Sequence, residues 1–248
     1  DDVEALRLRL VTEVALLDIR TKELQRSNSD LEQFAYVASH DLQEPLRKVT
    51  SFCQLLERRY GGRLDERADQ YIGFAVDGAR RMQVLIDDLL AFSRVGRKTG
   101  DFVQVDMNEV LKVALDNLSS SIEYSHAEVT HDQLPVVRGE PTLLTAVFQN
   151  LVSNAIKFRG EDPPRIQVTA EDGTFSVTDN GIGIEPEYAD RVFVIFQRLH
   201  PRSTYPGTGI GLAMVRRIVE YHGGRVWLDT DYPGPGTRFS FALPREDT

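Results

Sequence analysis

A seven-residue hydrophobic repeat runs through the start of the chain. Apolar residues occupy every seventh position from Val3 to Ala38, and the positions four residues further on are mixed and include Asn28. A period of 3.5 residues is typical of a helix wound left-handedly around a partner helix, in which a buried Asn fixes the register. The pattern therefore predicts a coiled-coil helix. A helix that packs against its own domain is the alternative interpretation.

A second helical pattern follows a turn. Tyr60-Gly61-Gly62 interrupts the first pattern, and apolar residues then recur at three- and four-residue steps from Ile72 to Leu90. Two helices joined by a short loop form an antiparallel hairpin, and two such hairpins form a four-helix bundle. We therefore predict that residues 1–95 form a helical domain that dimerises, so that the protein is a homodimer.

Beyond a polar linker at 96–101, the pattern alternates between strands and helices. This order favours an α/β sandwich over residues 102–248, with helices on one face of a mixed sheet. The predicted strands lie at 102–105, near 128–138, and at 165–170 and 174–179, and a hairpin is predicted at 225–243 around Pro233–Gly236. The first predicted helix begins with a capping box at Asp106 and Glu109, the second begins at Glu140-Pro141, and the third spans 208–222.

Composition narrows the possible functions. The 248-residue chain has a net charge of −9, which argues against nucleic-acid binding because phosphate-binding surfaces are normally basic. Its single cysteine, Cys53, cannot form an internal disulfide, so we expect a reducing, cytoplasmic compartment. No run approaches the ~20 apolar residues needed to cross a bilayer. Because the sequence starts at Asp1 within a helical pattern, we expect a sensor domain upstream on a longer chain.

Three polar clusters in the second domain suggest a nucleotide site. Asn150, Asn154 and Lys157 are spaced to share one helical face, where amide oxygens can ligate Mg²⁺ and the ammonium can contact phosphate. Taken alone, this cluster is more typical of an ordinary helix surface than of a metal site. The second cluster is a turn after a strand, where a carboxylate can accept a hydrogen bond from an exocyclic amine such as that of adenine. The third opens a helix, whose N-terminal N–H groups can bind phosphate. The second cluster contains Asp179, Gly181 and Gly183, and the third contains Gly207, Thr208, Gly209, Gly211 and Leu212.

In this order and at these separations, the clusters resemble the N, G1 and G2 boxes of the GHKL ATP-binding superfamily. Phe193 and Phe196 resemble the F box of its histidine-kinase branch. The resemblance implies that Asn150 and Asn154 hold Mg²⁺, that Asp179 recognises adenine, and that 184–206 is a lid over ATP. It further implies that Arg198 contacts the terminal phosphate from the lid.

One position separates kinases from ATPases within this superfamily. The hydrolysing members carry a glutamate, as base for the attacking water, where this chain has Asn150. Because direct hydrolysis then lacks its base, we expect an acceptor other than water.

His40 is the candidate acceptor among five histidines. It is followed by Asp41 and, one turn later, by Pro45 inside a predicted helix, where proline favours a kink. The stretch Phe34–Leu46 resembles the H box of the histidine-kinase dimerisation domain, and Asn154–Gly160 is similar to the phytochrome-type, light-regulated branch. The other four are His126 and His131 in polar contexts, His200 in the lid, and His222 at a helix end, where a partial positive charge is favourable.

The resemblance implies a sensor histidine kinase, which phosphorylates itself with Mg-ATP and passes the phosphoryl group to an aspartate in the receiver domain of a response regulator. The imidazole of His40 attacks the γ-phosphorus, while Asp41 orients the ring and takes up the proton on its other nitrogen. Many relatives carry Thr or Asn at the position of Glu44, used to remove phosphate from the regulator. A net regulator phosphatase and a nucleotide-gated scaffold therefore remain alternatives.

Overall fold

The structure is a computed structural model that describes residues 7, 21, 41–96, 102–201 and 204–244. The chain divides into two compact units, Asp1–Ser93 and Arg94–Thr248. The predicted coiled-coil seam, apart from residues 7, 21 and 42, and the candidate acceptor His40 lie outside the described residues. Among the described helices, none combines the length and the apolar character needed to cross a membrane.

The first unit contains a helical hairpin. Residues 41–60 form helix α1, and Glu66–Arg94 form helix α2. The turn between them is held by the Asp69 carboxylate, which accepts from Gly62 N at 3.0 and 3.1 Å, and Gly62 adopts a left-handed φ of 69°. Asp65 caps α2 by accepting from Ala68 N at 2.8 Å.

Much of the apolar surface of this hairpin is uncovered in the single chain. Phe52 on α1 is 66% exposed, and Phe74 on α2 is 63% exposed. Apolar surface of this extent is typical of a face that another chain covers. The other exposed apolar residues of the hairpin include Leu42, Val49, Leu55, Leu56, Leu64, Tyr71, Met82 and Val84.

The second unit is the predicted mixed α/β fold. Its main sheet has the strand order β2-β4-β5-β7-β6, in which β2 and β4 are parallel and the other neighbours antiparallel; β1 and β3 form a separate antiparallel pair. The strands are β1 (Val103–Asp106), β2 (Glu128–His131), β3 (Val136–Gly139), β4 (Arg165–Glu171), β5 (Thr174–Asp179), β6 (Arg225–Leu228) and β7 (Arg238–Ala242), and the helices are α3 (Met107–Asn117), α4 (Ser119–Ser125), α5 (Pro141–Lys157) and α6 (Gly211–Tyr221).

Three aromatic rings fix α5 over the centre of the sheet. Phe148 of α5 is fully buried and meets the rings of Phe175 and Phe241 edge-on, at centroid distances of 6.4 and 5.8 Å. Those two rings, from β5 and β7, stack on each other at 4.9 Å. Because the apolar face of α5 is committed to this core, the rest of the helix is available for the polar residues of the candidate site.

Two sequence predictions differ from the observed elements. The final helix begins at Gly211 rather than 208, because Gly207 and Gly209 have φ values of 147° and 77°, which a right-handed helix does not contain. The Ser-rich helix α4 is absent from the predicted elements, since serines are weak helix formers and give no hydrophobic period.

Candidate nucleotide-binding site

Helix α5 presents Asn150 to the beginning of helix α6. The amide of Asn150 is oriented by its Nδ2, which donates to the Ala146 carbonyl at 2.8 Å. Its Oδ1 therefore lies against Gly211, where a Cβ atom would come within 2.6 Å of that oxygen. The amide oxygen is thus held beside the N-terminus of α6, and only glycine fits between the two helices here.

Replacing Gly211 by Ala should lower nucleotide affinity about tenfold or more, because the new methyl group would displace the Asn150 amide, and small misplacements of binding groups have large effects. Calorimetric titration with an ATP analogue measures this. Gly160→Ala is the matched control, since Gly160 lies three residues beyond α5, has no positive φ, and would place a Cβ in open space with nothing within 4 Å. Equal affinities of the two variants would contradict the packing described here.

Asp179 is the last residue of β5, and one of its carboxylate oxygens accepts hydrogen bonds from the backbone. Its Oδ1 accepts from Gly181 N at 2.8 Å and from Thr237 N at 3.0 Å, whereas Oδ2 accepts no hydrogen bond from the described residues. Burial raises the pKa of this carboxyl, and the two N–H bonds oppose the rise. Oδ2 can therefore accept from a ligand amine, at a position fixed by two backbone donors.

The turn after Asp179 is joined to the end of α5. Ile182 N donates to the Phe158 carbonyl at 3.0 Å, and a Cβ on Gly181 would collide with that same carbonyl. Asn180 has a structural role: its Oδ1 accepts from Arg165 N at 2.7 Å, and its Nδ2 donates to the Pro163 carbonyl at 3.1 Å. The fold thereby brings the predicted carboxylate cluster next to the predicted amide cluster.

Sequence reasoning missed Gly236 and Thr237. Gly236 has a φ of 85°, and a Cβ there would collide with the backbone oxygen of Asp179. Thr237 N holds the Asp179 carboxylate, and Thr237 O accepts from Asp179 N at 2.8 Å. From the sequence, this Gly-Thr pair belongs only to a hairpin turn. The only feature of the sequence that could have indicated a role for this pair is its position directly before the final strand.

The glycine-rich segment before α6 approaches other backbone closely. Gly209 O accepts from Phe196 N at 2.9 Å, and a Cβ on Gly209 would lie 3.0 Å from the Gln197 carbonyl oxygen. Ile210, the N-cap of α6, makes no side-chain cap bond, and Thr208 Oγ1 accepts from Ile210 N at 3.4 Å. Leu212 is half-buried in the first turn. The start of α6 is thus a short, glycine-lined helix N-terminus, as an anion site requires.

Two cations lie together beside this segment. Lys157 Nζ lies 4.2 Å from the centroid of the Phe158 ring. A Cβ atom on Gly207 would lie 2.9 Å from the same Lys157 nitrogen. Arg198 donates to the carbonyls of Gly207 and Tyr205 at 2.6 Å each. Burial, and secondarily the charge of Arg198, lowers the pKa of Lys157. Two half-buried positive groups at a helix N-terminus favour a polyanion.

The segment that was predicted to be a lid contacts the end of α5 through aromatic rings. The rings of Phe158, His200 and Tyr205 are mutually 5.0 to 6.0 Å apart. A cavity of about 710 Å³ lies between this segment and the turn after Asp179, and Gly183 and Arg198 are the candidate residues that line it. Its walls include Gly183, Ile184, Tyr188, Arg191, Arg198 and His200.

In the helical unit, the described candidates are Asp41 and Glu44 of α1, both exposed. Glu44 Oε1 accepts from Lys48 Nζ at 2.7 Å, a surface pair one turn apart that contributes little stability. Neighbouring Gln43 crosses to the other helix and donates to Asp87 at 2.8 Å.

His222 lies at the end of α6, as predicted, but it does not carry the positive charge that was expected there. This side chain is 5% exposed, and burial lowers its pKa. Because its Nε2 accepts from Glu140 N, the imidazole is neutral and carries no positive charge toward the helix end.

Comparison with known proteins decides the family. Residues 139–247 match the family described as histidine kinase-, DNA gyrase B- and HSP90-like ATPases, and residues 30–98 match the His kinase A (phospho-acceptor) domain. The chain belongs to the histidine kinases. It contains the catalytic region of a sensor histidine kinase: a phospho-acceptor domain followed by an ATP-binding domain of the GHKL type. The predicted fold class and enzyme class, a protein-histidine kinase, are confirmed.

The relatives include phytochromes. The chain is 49% identical to cyanobacterial phytochrome A of Nostoc sp. and 47% identical to the phytochrome-like protein Cph1 of Synechocystis sp., each over 96% of this chain. It spans 31% and 32% of their lengths, about a third of each relative. Full-length ShkA, solved as a complex with AMPPNP, is similar over 86% of this chain and 45% of its own, with 26% identity and a TM-score of 0.66. The predicted resemblance to the phytochrome-type branch is thereby confirmed.

Proposed function

We propose that this region of the histidine kinase uses Mg-ATP to phosphorylate His40 and then transfers the phosphoryl group to an aspartate in a response-regulator receiver domain. The observation that carries the proposal is that the candidate site has two chemically different parts, one acidic and one basic. Asp179 offers a carboxylate oxygen at one side, and Lys157 with Arg198 offers two cations beside the N-terminus of α6 at another. A base with an exocyclic amine and a polyphosphate tail match these two parts.

The amide oxygens of Asn150 and Asn154 fit a hard cation. Both side chains are half-buried on the same face of α5, and the Asn150 oxygen is oriented beside the phosphate-binding end of α6. We propose that they hold Mg²⁺, which when bound would neutralise charge on the phosphate oxygens. Oxygen donors of this kind suit Mg²⁺ and not a soft metal.

The acceptor is His40 rather than water. Asn150 stands where hydrolysing relatives carry their base, so an attacking water has no carboxylate to take its proton. The neutral imidazole of His40 attacks the γ-phosphorus, the bond from that phosphorus to the β–γ bridging oxygen breaks, and ADP leaves. Asp41 orients the ring and takes up the proton of its other nitrogen. Positioning by the lid and by Lys157 supplies most of the catalysis.

The exposed apolar face of the hairpin supports a homodimer. Side chains such as Phe52 and Phe74 are more than half exposed in the single chain, and a second hairpin covering them would complete a four-helix bundle. We propose domain limits of 1–95 for the dimerisation and phosphotransfer domain, 96–101 for the linker and 102–248 for the catalytic domain. The longer protein would carry a sensor domain upstream and act in the cytoplasm.

ATP affinity should fall with rising pH, beginning below the pH at which an ordinary lysine titrates. Burial and Arg198 lower the pKa of Lys157, so the ammonium that meets the phosphates is lost earlier. The lowered pKa means that the folded protein without nucleotide disfavours the charged form of Lys157. A bound polyanion would favour the charged form and so raise this pKa again. Binding at alkaline pH should therefore take up a proton. Calorimetry in buffers of different ionisation enthalpy measures it.

Lys157→Arg provides the control for this pH profile, because its guanidinium stays charged throughout the range. Its ATP affinity should remain flat where that of the wild type falls. Identical profiles in the two chains would exclude Lys157 as the titrating group.

Phosphotransfer is tested with a receiver domain. The chain, labelled from γ-³²P-ATP and freed of nucleotide, should lose its label to the receiver domain within minutes, and a receiver with its acceptor Asp changed to Asn should take none. The lifetime of the receiver phosphate with and without unlabelled chain then measures phosphatase activity. A sharply shortened lifetime together with no transfer would favour the net phosphatase, with Glu44 as the residue to vary first.

A further inference from the structure

The C-terminus of α6 is joined to the N-terminus of α5 by the side chain of His222. Its Nε2 lies 3.0 Å from Glu140 N, which can only donate, so Nε2 is the acceptor and is unprotonated. The proton is therefore on Nδ1, which donates to the Ile218 carbonyl at 2.7 Å. One neutral imidazole thus accepts from the N–H of Glu140, the N-cap of α5, and donates to a carbonyl in the last turn of α6.

The surroundings allow the ring little freedom. His222 stacks on Phe102 at 4.8 Å with an interplanar angle of 15°, and a Cβ on Gly139 would lie 2.8 Å from His222 Cδ2. Buried hydrogen bonds in such a site are worth more than exposed ones, because water cannot replace either partner. The imidazole is therefore a rigid link between the two helices.

This link lies at one end of the packing between α5 and α6. A second contact is at the opposite end, where Asn150 Oδ1 lies against Gly211. From Glu140 to Asn150, and from Gly211 to His222, the distance along each helix is about 15 Å. The helices run antiparallel, and the two contacts lie near the two ends of α6, at Gly211 and His222. The Asn150 end is the nucleotide end.

We propose that His222 is a positioning residue for the kinase reaction: its hydrogen bond to Glu140 N sets the register of α6 on α5 and so places the N-terminus of α6 against the Asn150 amide. This inference rests on the proposed ATP site. It assigns His222 no contact with the nucleotide. Losing the bond should let the phosphate-binding end of α6 shift, which weakens ATP binding and leaves the transfer step at saturating ATP largely unchanged.

Three substitutions separate the hydrogen bond from the packing. In His222→Gln, the side-chain oxygen can reach the place of Nε2 and accept from Glu140 N. In His222→Asn, the amide nitrogen can take the place of Nδ1 and donate to Ile218 O, but nothing reaches Glu140 N. In His222→Phe, the ring stacking on Phe102 is retained without either bond.

The Gln variant should keep the wild-type KM for ATP within about twofold, while Asn and Phe raise it about fivefold or more, the effect of one lost buried hydrogen bond. Maximal labelling rates at saturating ATP should agree within about twofold. Hydrogen exchange at the Glu140 amide, measured without nucleotide, should be slow in the wild type and the Gln variant and fast in the Asn and Phe variants.

A purely packing role predicts the opposite order, with Phe closest to the wild type and Gln impaired, and that order would overturn the proposal. So would an unchanged KM in His222→Asn. A wild-type chain that bound no ATP would instead refute the proposed function, and the exchange rates of Glu140 would still show whether the link exists.

Discussion

Replacing Asp179 by Asn is expected to lower ATP affinity by about 100-fold without damaging the fold. The substitution keeps an oxygen to accept from Gly181 N and Thr237 N, so the turn and its neighbouring strand remain in place. It replaces the second oxygen by an NH₂ group that faces the exocyclic amine of adenine. The variant loses the charge-assisted hydrogen bond from the adenine amine to the carboxylate, and it places two N–H donors opposite each other. Together these changes should weaken binding by about 3 kcal/mol.

The stability of this variant should move in the other direction. Burial raises the pKa of Asp179, so the folded protein disfavours the carboxylate, and at neutral pH the charge costs stability. That cost is present above the raised pKa and disappears as the pH falls through it. Removing the charge should therefore leave the melting temperature at pH 7 equal to or above that of the wild type. In acid, the difference between the two chains should shrink.

Calorimetric titration with ATP and thermal melting at pH 7 measure both effects. Asp162→Asn is the matched control, since Asp162 is an exposed carboxylate in the loop between α5 and β4. Its ATP affinity and melting temperature should equal those of the wild type. An Asp179→Asn chain that bound ATP normally would remove the adenine-recognition role. A chain that lost binding through unfolding would contradict the hydrogen-bond geometry.

The second large effect is expected from Asn150→Ala, which should abolish most of the gain in ATP affinity and labelling rate that Mg²⁺ confers. The Asn150 oxygen is held by the bond from Nδ2 to Ala146 O, so the wild-type ligand is oriented before the metal arrives. Loss of a preoriented ligand should reduce labelling by about 100-fold, since even indirect partners of a metal change affinity by 10- to 100-fold.

The measurement is a pair of titrations, with and without Mg²⁺, for the wild type, Asn150→Ala and the control Ser153→Ala. Ser153 is exposed and lies on the same helix between the two amides. Mg²⁺ should strengthen binding in the wild type and the control, and hardly at all in Asn150→Ala. If the Asn150 variant kept the full Mg²⁺ effect, the metal would have to be held elsewhere.

Local spacing allowed much of the candidate site to be predicted. The three- and four-residue intervals of Asn150, Asn154 and Lys157 place them on one face of α5 whatever the tertiary fold. The carboxylate and glycine clusters could be recognised because each is a contiguous turn. The helical and α/β organisation likewise followed from the change in hydrophobic period.

Non-local contacts could not be predicted in this way. Thr237 holds Asp179 across 58 residues because β5 and β7 are neighbours in the sheet, and His222 reaches Glu140 across 82 residues. The later start of α6 depends on the backbone angles of Gly207 and Gly209, which the glycines permit but do not require. Such contacts depend on strand order and helix packing, which hydrophobic periods do not determine.

The central claim is that His40 receives the γ-phosphoryl group, and one labelling experiment tests it most directly. The wild type and a His40→Gln variant are incubated with Mg²⁺ and γ-³²P-ATP. The control variant is His126→Gln, which replaces an exposed histidine outside the proposed acceptor position. The bound label is then exposed to acid and to alkali. The account predicts acid-labile, alkali-stable label in the wild type and the control, and none in His40→Gln with ATP affinity intact. Equal labelling of His40→Gln, or ATP binding by the wild type without any label, would contradict it.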